Sequence, residues 1–261
     1  MVADSGGYSP SAAKPAAAVA SWQQLGIPIS IKSFEAVTRE QIKRAHDPKF
    51  VDDLLDLRIA NGHGNRSPAV ATSLPFTTGS LLAAAREALA NGIGAVSPTS
   101  GFHHAGHARA GGFCSLNGLM VAALNLPDCK VGVLDFDMHY GDGTDSIIRH
   151  LSLNSRVVHR GHPGGGNAEA WLKTIPGTLD ALADCDVVLY QAGADPHIND
   201  PLGGWLTSDQ MRMRDRLVFA GLRERGVPVA WNLAGGYQKP FRAVLNLHDA
   251  TMQECAAAWL D

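Results

Sequence analysis

Cysteine, aromatic residues and charge are all scarce in this chain of 261 residues. The four cysteines, Cys114, Cys129, Cys185 and Cys255, form no C-x-x-C pair and no even spacing, which excludes a thiolate zinc module and a disulfide framework. A reducing compartment follows, and the cytoplasm is the expected location. Aromatics make up 7% and charged residues 18%, against the roughly 25% charged residues of ordinary domains. That composition fits a compact enzyme rather than a coiled coil or a disordered chain. There is no excess of positive charge either: a formal net charge of −3 cannot neutralise a phosphate backbone, so nucleic acid is not expected as a direct ligand. No apolar run approaches the ~20 residues that span a bilayer, and no basic-then-apolar leader opens the chain. No repeat recurs at periods of about 20–50 residues.

What is present reads as one α/β domain. Residues 1–21, rich in Ser, Pro, Gly and Ala, read as a flexible N-terminal arm of loop or extended backbone, with the domain itself over 22–261. Thr38 and Gln41 make a capping box for a short helix, and Pro48 opens a second one. Gly62 to Thr78 reads as a loop leading into a helix from Leu81 that Gly92 closes. Short apolar runs then alternate with helical segments. Strands are expected at Gly94–Ser97, Val131–Asp137, Arg156–His159, Asp186–Gln191 and Pro228–Leu233, and helices at Leu116–Leu126, Gly143–Leu151 and Thr207–Glu224. This alternation predicts a central, mostly parallel sheet flanked by helices, with right-handed crossovers.

In such sheets ligands bind beyond the carboxyl ends of the strands, and that is where the polar residues of this chain collect. Asp135, Asp137 and His139 alternate, so an extended segment would present all three on one face. A lone D-x-H is more often a helix cap beside a core histidine, but two carboxylates ending an apolar strand need a cation or several donors. Asp195 follows the next buried run through Ala192, Gly193 and Ala194 and is the candidate third ligand. Two carboxylates and one imidazole suit zinc with an open position, and also iron(II), cobalt or manganese. His103 and His104 are adjacent on another strand-end loop, with Asp135 and Asp142 as partners that fix their tautomers for acid–base work. His107 in the same loop reads as a bystander. Tyr237, after Gly235 and Gly236, is placed to donate a hydrogen bond to an oxyanion, and Phe113, after Gly112, to wall an apolar slot.

The blocks GFHHAGHARAGGFCSLN, VLDFDMHYGDGT, YQAGADPHINDPLGG and NLAGGYQ together resemble the zinc-dependent histone deacetylase family, which includes acetylpolyamine amidohydrolases. All four stand in family order, over organisation extending from about Thr38 to Tyr237. The resemblance implies an arginase/deacetylase-like fold, a deacetylase-like catalytic domain over 22–261, and hydrolysis of an acylated amine, either acetyl-lysine in a protein or peptide or an acetylpolyamine. By it, Asp137, His139 and Asp195 hold one zinc, and His104, oriented by Asp142, is the general base. His103, backed by Asp135, supplies proton or electrostatic support. Tyr237 polarises the acyl carbonyl, Gly112 and Phe113 line the channel, and Gly235 and Gly236 belong to the substrate-binding turn. A potassium or sodium ion beneath the zinc, held by Asp135 and nearby carbonyls, is also implied.

The chain departs from the family pattern after its third strand, where VVHRGHPGGGNAEAW lacks a Phe-Phe-Pro run. His162 and Trp171 are the substitutes at hand for a second aromatic wall, and a homo-oligomer is a further way to complete the channel. Glu35, Asp52, Asp53 and Asp56 are candidates for an acidic entrance that a polyamine would favour. Two other readings compete with the deacetylase. A ureohydrolase requires two manganese ions and further bridging carboxylates. A catalytically silent module would keep fold and metal alone.

Overall fold

Val131 and Val133 turn to one face of the second strand and Leu134 to the other, and all are buried, so this strand has helices on both sides. The computed structural model describes residues 3–162 and 164–260. Five strands, β1 Gly94–Ser97, β2 Val131–Asp135, β3 Val157–Gly161, β4 Val187–Gln191 and β5 Val229–Asn232, form one sheet in the order β1-β5-β4-β2-β3. Every pairing is parallel, so the expected mostly parallel sheet is wholly so. One layer comprises α2 Arg39–Lys43, α3 Pro48–Leu55, α4 Pro68–Asn91, α5 Gly118–Leu124 and α6 Asp142–His150. The other comprises α1 Lys14–Gln24, α7 Ala168–Leu172, α8 Ile175–Asp180, α9 Ser208–Glu224 and α10 Phe241–Leu260. No described helix is long and apolar enough to cross a membrane.

The local signals act as physics requires. Both capping boxes are formed, Thr38 with Gln41 and Thr207 with Gln210, and Gly92 ends α4 in the left-handed region. Several segments differ from expectation: the strand expected to Asp137 ends at Asp135, and α7, α8 and α10 stand where no helix is named in the sequence reading. The arm over 1–21 is not all loop: α1 begins at Lys14 and buries Ala18 and Trp22 against the core beneath α10. Its alanines carry helix propensity, and the burial of Trp22 supplies what an isolated short helix lacks. The loop expected to Thr78 is likewise helix from Pro68, capped by Ser67, whose Oγ accepts from the N–H of Val70. Pro68 suits the first turn; Pro75 lies inside the helix, and its carbonyl accepts from Val37 N–H at 3.1 Å.

The register sets the site. Asp135 pairs with Gln191 and Gln191 with Asn232, so the ends of β2, β4 and β5 are level at the centre of the sheet. The loops that leave them diverge from neighbouring points on one rim.

Candidate metal and acid–base centre

The alternation of Asp135, Asp137 and His139 does not continue as strand, because β2 stops at Asp135. Instead, Asp137 N–H donates to Asp135 Oδ1 at 3.2 Å and His139 N–H donates to Asp137 Oδ1 at 3.0 Å. These local turns compete with the ladder and coil the chain. Asp135 is thereby aimed at His103, while Asp137 and His139 turn toward Asp195 from the β4 loop.

Ligand atoms of Asp137, His139 and Asp195 all lie within 4.8 Å of one another, the one such cluster among the described residues. His139 Nδ1 stands 3.3 Å from Asp137 Oδ1 and 3.1 Å from Asp195 Oδ2. Both carboxylates are buried, and no Lys or Arg side chain forms an ion pair with either among the described residues. Burial and the Asp137 charge therefore push Asp195 up to about 7. Burial opposes ionisation of Asp137 too, but His103 and His139 outweigh it and hold that carboxyl well below its usual range. Hydrogen bonds to both carboxylates raise His139 to about 10. Two buried carboxylates and an imidazole that converge in this way demand positive charge, and an oxygen–nitrogen donor set fits a divalent ion.

Beside the cluster, each histidine of the 98–117 loop has its own aspartate. His103 Nδ1 meets Asp135 Oδ2 at 2.8 Å, and its Nε2 lies 3.6 Å from Asp137 Oδ1. Burial disfavours the His103 imidazolium, yet Asp135 and Asp137 lift it to about 9. His104 Nδ1 meets Asp142 Oδ1 at 2.7 Å, and Arg109 holds the other oxygen of that carboxylate. Burial and the neighbouring His103 keep His104 below its ordinary value despite Asp142. Thus one imidazole of the pair favours the charged form and the other the neutral form, which separates their roles. The Cα of Gly112, at φ +54°, packs on His104: a Cβ there would sit 2.5 Å from Cδ2. His107 lies outside this group, its Nδ1 donating to Ala45 O at 3.0 Å and its ring stacking on His150.

Tyr237 leaves β5 through Gly235 and Gly236. Its N–H donates to Asp200 Oδ2 at 2.7 Å, which sets the backbone carrying the ring. Burial and the charges of Asp137 and Asp195 raise its phenol above the ordinary value, so it remains a proton donor. The Phe113 ring lies 5.8 Å from that of Tyr237, and His63 flanks Phe113 at 5.8 Å.

Residues outside the four motif cores also build the site. Tyr8, from the supposed arm, stacks on Tyr237 with ring centroids 6.0 Å apart. Lys14, buried at the start of α1, donates to Ala234 O at 2.7 Å and Gly235 O at 3.0 Å. Asp200 was legible as a polar residue of the β4 loop block, whereas Tyr8 and Lys14 carry no local signal. The suggested substitutes for the missing aromatic wall do not serve it. Trp171 is buried in the core against Phe136 and Trp205, and His162 is turned inward to Asp137 O. The acidic entrance is not formed by α3, since Asp52, Asp53 and Asp56 pair there with Arg39, Lys43, Lys49 and Arg58.

Fold and motifs define a member of the histone deacetylase family: the family model for the histone deacetylase domain matches residues 10–170, and the chain belongs to that family. Among its relatives, histone deacetylase 2 of Arabidopsis thaliana is 27% identical over 178 residues, covering 58% of this chain and 46% of that protein. The acetylpolyamine amidohydrolase of Mycoplana ramosa is 26% identical over 173 residues, covering 53% and 50%. The crystal structure of an acetylpolyamine aminohydrolase from Burkholderia pseudomallei superposes with a TM-score of 0.77 at 18% identity, over 95% of this chain and 91% of that one, which establishes the fold. The chain matches about half the length of these two curated relatives.

Proposed function

We propose that this chain is a zinc-dependent amide hydrolase that cleaves the linear C–N bond of an acylated amine, releasing the amine and a carboxylate. The observation that carries the reading is the convergence of Asp137, His139 and Asp195 beside two His–Asp pairs. Asp137, His139 and Asp195 would hold the zinc, which when bound supplies Lewis acidity that polarises an acyl oxygen and acidifies water toward a pKa of ~7.

The protein's own groups do the rest. Neutral His104, its Nδ1 engaged by Asp142, offers Nε2 to take a proton from the attacking water and deliver it to the leaving amine. His103, charged beside Asp135, stabilises the negative charge that grows during attack. Tyr237 donates its hydroxyl proton in a hydrogen bond to the acyl oxygen as that atom becomes an oxyanion. Phe113, Tyr237 and Tyr8 give an aliphatic amine stem aromatic walls, and Gly112 lets the channel pass close to His104.

Acetyl-lysine in a peptide and an acetylpolyamine are the two substrate forms of this reading, both supported by the company the chain keeps among its relatives. The test is amine release by zinc-loaded protein from each, side by side, with Tyr237→Phe as control. Tyr237-dependent release from either supports the reading and ranks the substrates. No release from any of a broad panel of acyl amines, with zinc bound, overturns it in favour of a silent binding module.

A further inference from the structure

The family resemblance implies a potassium or sodium ion beneath the ligand cluster, held by Asp135 and adjacent carbonyls. The residues of this chain do not fit such an ion, because the Asp135 carboxylate and the carbonyls of Phe136, Asp137 and Gly193 already face protein donors. Arg214 of α9, fully buried, donates from Nη1 to Phe136 O at 3.1 Å and to Gly193 O at 2.8 Å. His162 donates from Nε2 to Asp137 O. Its Nδ1 accepts from Gly164 N–H at 2.7 Å, which assigns the ring proton to Nε2. The Asp135 carboxylate is also committed, Oδ2 to His103 Nδ1 at 2.8 Å and Oδ1 to Asp137 N–H at 3.2 Å. An alkali ion replaces its hydration shell with oxygens whose lone pairs face it, and a guanidinium in the same shell repels it.

We propose that Arg214, with His162, takes the place of that cation, so that the centre assembles without potassium or sodium. The two carbonyls bridged by Nη1 belong to the two loops that carry the carboxylates. Phe136 precedes Asp137, and Gly193 stands two residues before Asp195. One guanidinium therefore ties the β2 loop to the β4 loop through its Nη1, while its charge is paired with Asp215. Its plane is itself held: Nε donates to Asp215 Oδ1 at 2.8 Å, and Asp215 accepts the hydroxyls of Tyr190 at 2.5 Å and Thr251 at 2.6 Å. Arginine suits the task because it does not deprotonate and donates in a fixed fork. Arg214 is a positioning residue, acting through the loops rather than on substrate.

The consequence for metal binding rests on Asp137, His139 and Asp195 being the ligands of the proposed function; the occupied carbonyls do not. Two measurements test it. Thermal unfolding of the purified protein in potassium, sodium or tetramethylammonium chloride at constant ionic strength should give one Tm. A saturable rise specific to potassium or sodium overturns the proposal. Titration against a chromogenic chelator should show the zinc Kd of Arg214→Met raised roughly 10–100-fold, with Arg214→Lys between it and wild type. A purely structural arginine would lower Tm and leave zinc affinity where it was, and that result in a folded variant also overturns the proposal. Should Arg214→Met not fold, Arg214→Lys and the salt series decide. Absence of hydrolysis alongside these outcomes would count against the proposed function alone.

Discussion

Gly235 lies wedged between the two buried carboxylates: its N–H donates to Asp137 Oδ2 at 2.8 Å, and a Cβ on it would stand 2.6 Å from Asp195 Oδ1. Backbone at this position therefore does what no side chain has room to do. Gly235→Ala should displace the Asp195 carboxylate and weaken zinc binding roughly 10–100-fold, in the range of changes to groups that orient ligands. Zinc content after dialysis checks it, and full occupancy would contradict the wedge.

The ligand and donor roles separate in a pair of variants. Asp195→Ala should purify without stoichiometric zinc. Tyr237→Phe should keep zinc and lose roughly 10²–10³ in turnover, the scale of one missing oxyanion donor. Metal analysis and single-substrate kinetics together distinguish them, and wild-type turnover by Tyr237→Phe would remove the phenol from the mechanism.

The pH profile should report His104. Burial and His103 depress its pKa from 6.5, so the base is neutral at neutral pH and kcat/KM falls only as pH drops below 6.5. The hydrogen bond that His104 donates to Asp142 acts in the opposite direction, raising that pKa. Asp142→Asn should accordingly move the acid limb to still lower pH while slowing turnover. A limb that shifts upward in this variant would contradict the assignment.

Stability has its own titration, away from the metal cluster. His46 is fully buried, with Nε2 accepting from Asn117 N–H at 2.9 Å and Nδ1 donating to Gly106 O at 2.9 Å. Burial lowers its pKa from 6.5 to about 4. The unfolded chain thus binds the proton first on acidification: the contribution is complete above 6.5 and is lost progressively as pH falls toward about 4. A shift of this size amounts to roughly 3 kcal/mol. Denaturant unfolding of wild type and His46→Gln across that range checks it, with a flatter pH dependence expected for the variant.

Much of the fold was legible because its signals are local. The capping boxes at Thr38 and Thr207, the left-handed Gly92 and the buried apolar runs of β2, β4 and β5 each act within a few residues of themselves. The misjudged segments are those where tertiary burial prevails over composition. Trp22 holds α1 against the core although Pro, Ser and Gly precede it, and α4 begins at Pro68 with Val70, Ala71 and Ser73 buried within the stretch that reads as loop.

The centre divides along the same line. Residue chemistry and spacing by themselves determined which side chains are competent: a D-x-D-x-H run after one strand, an aspartate after another, paired histidines and a tyrosine behind two glycines. Spacing along the chain limits what neighbouring residues can do, so this much is carried by the motifs. Which aspartate serves which histidine was decided by the turns that break β2 at Asp135, sending Asp135 to His103 and Asp137 toward Asp195. The side chains that tie the loops of the centre together come from Lys14, 220 positions from the carbonyl of Ala234, and from Arg214, 78 positions from that of Phe136. No pattern along the chain announces such pairs, because only the parallel register that levels β2, β4 and β5 brings their loops to one place.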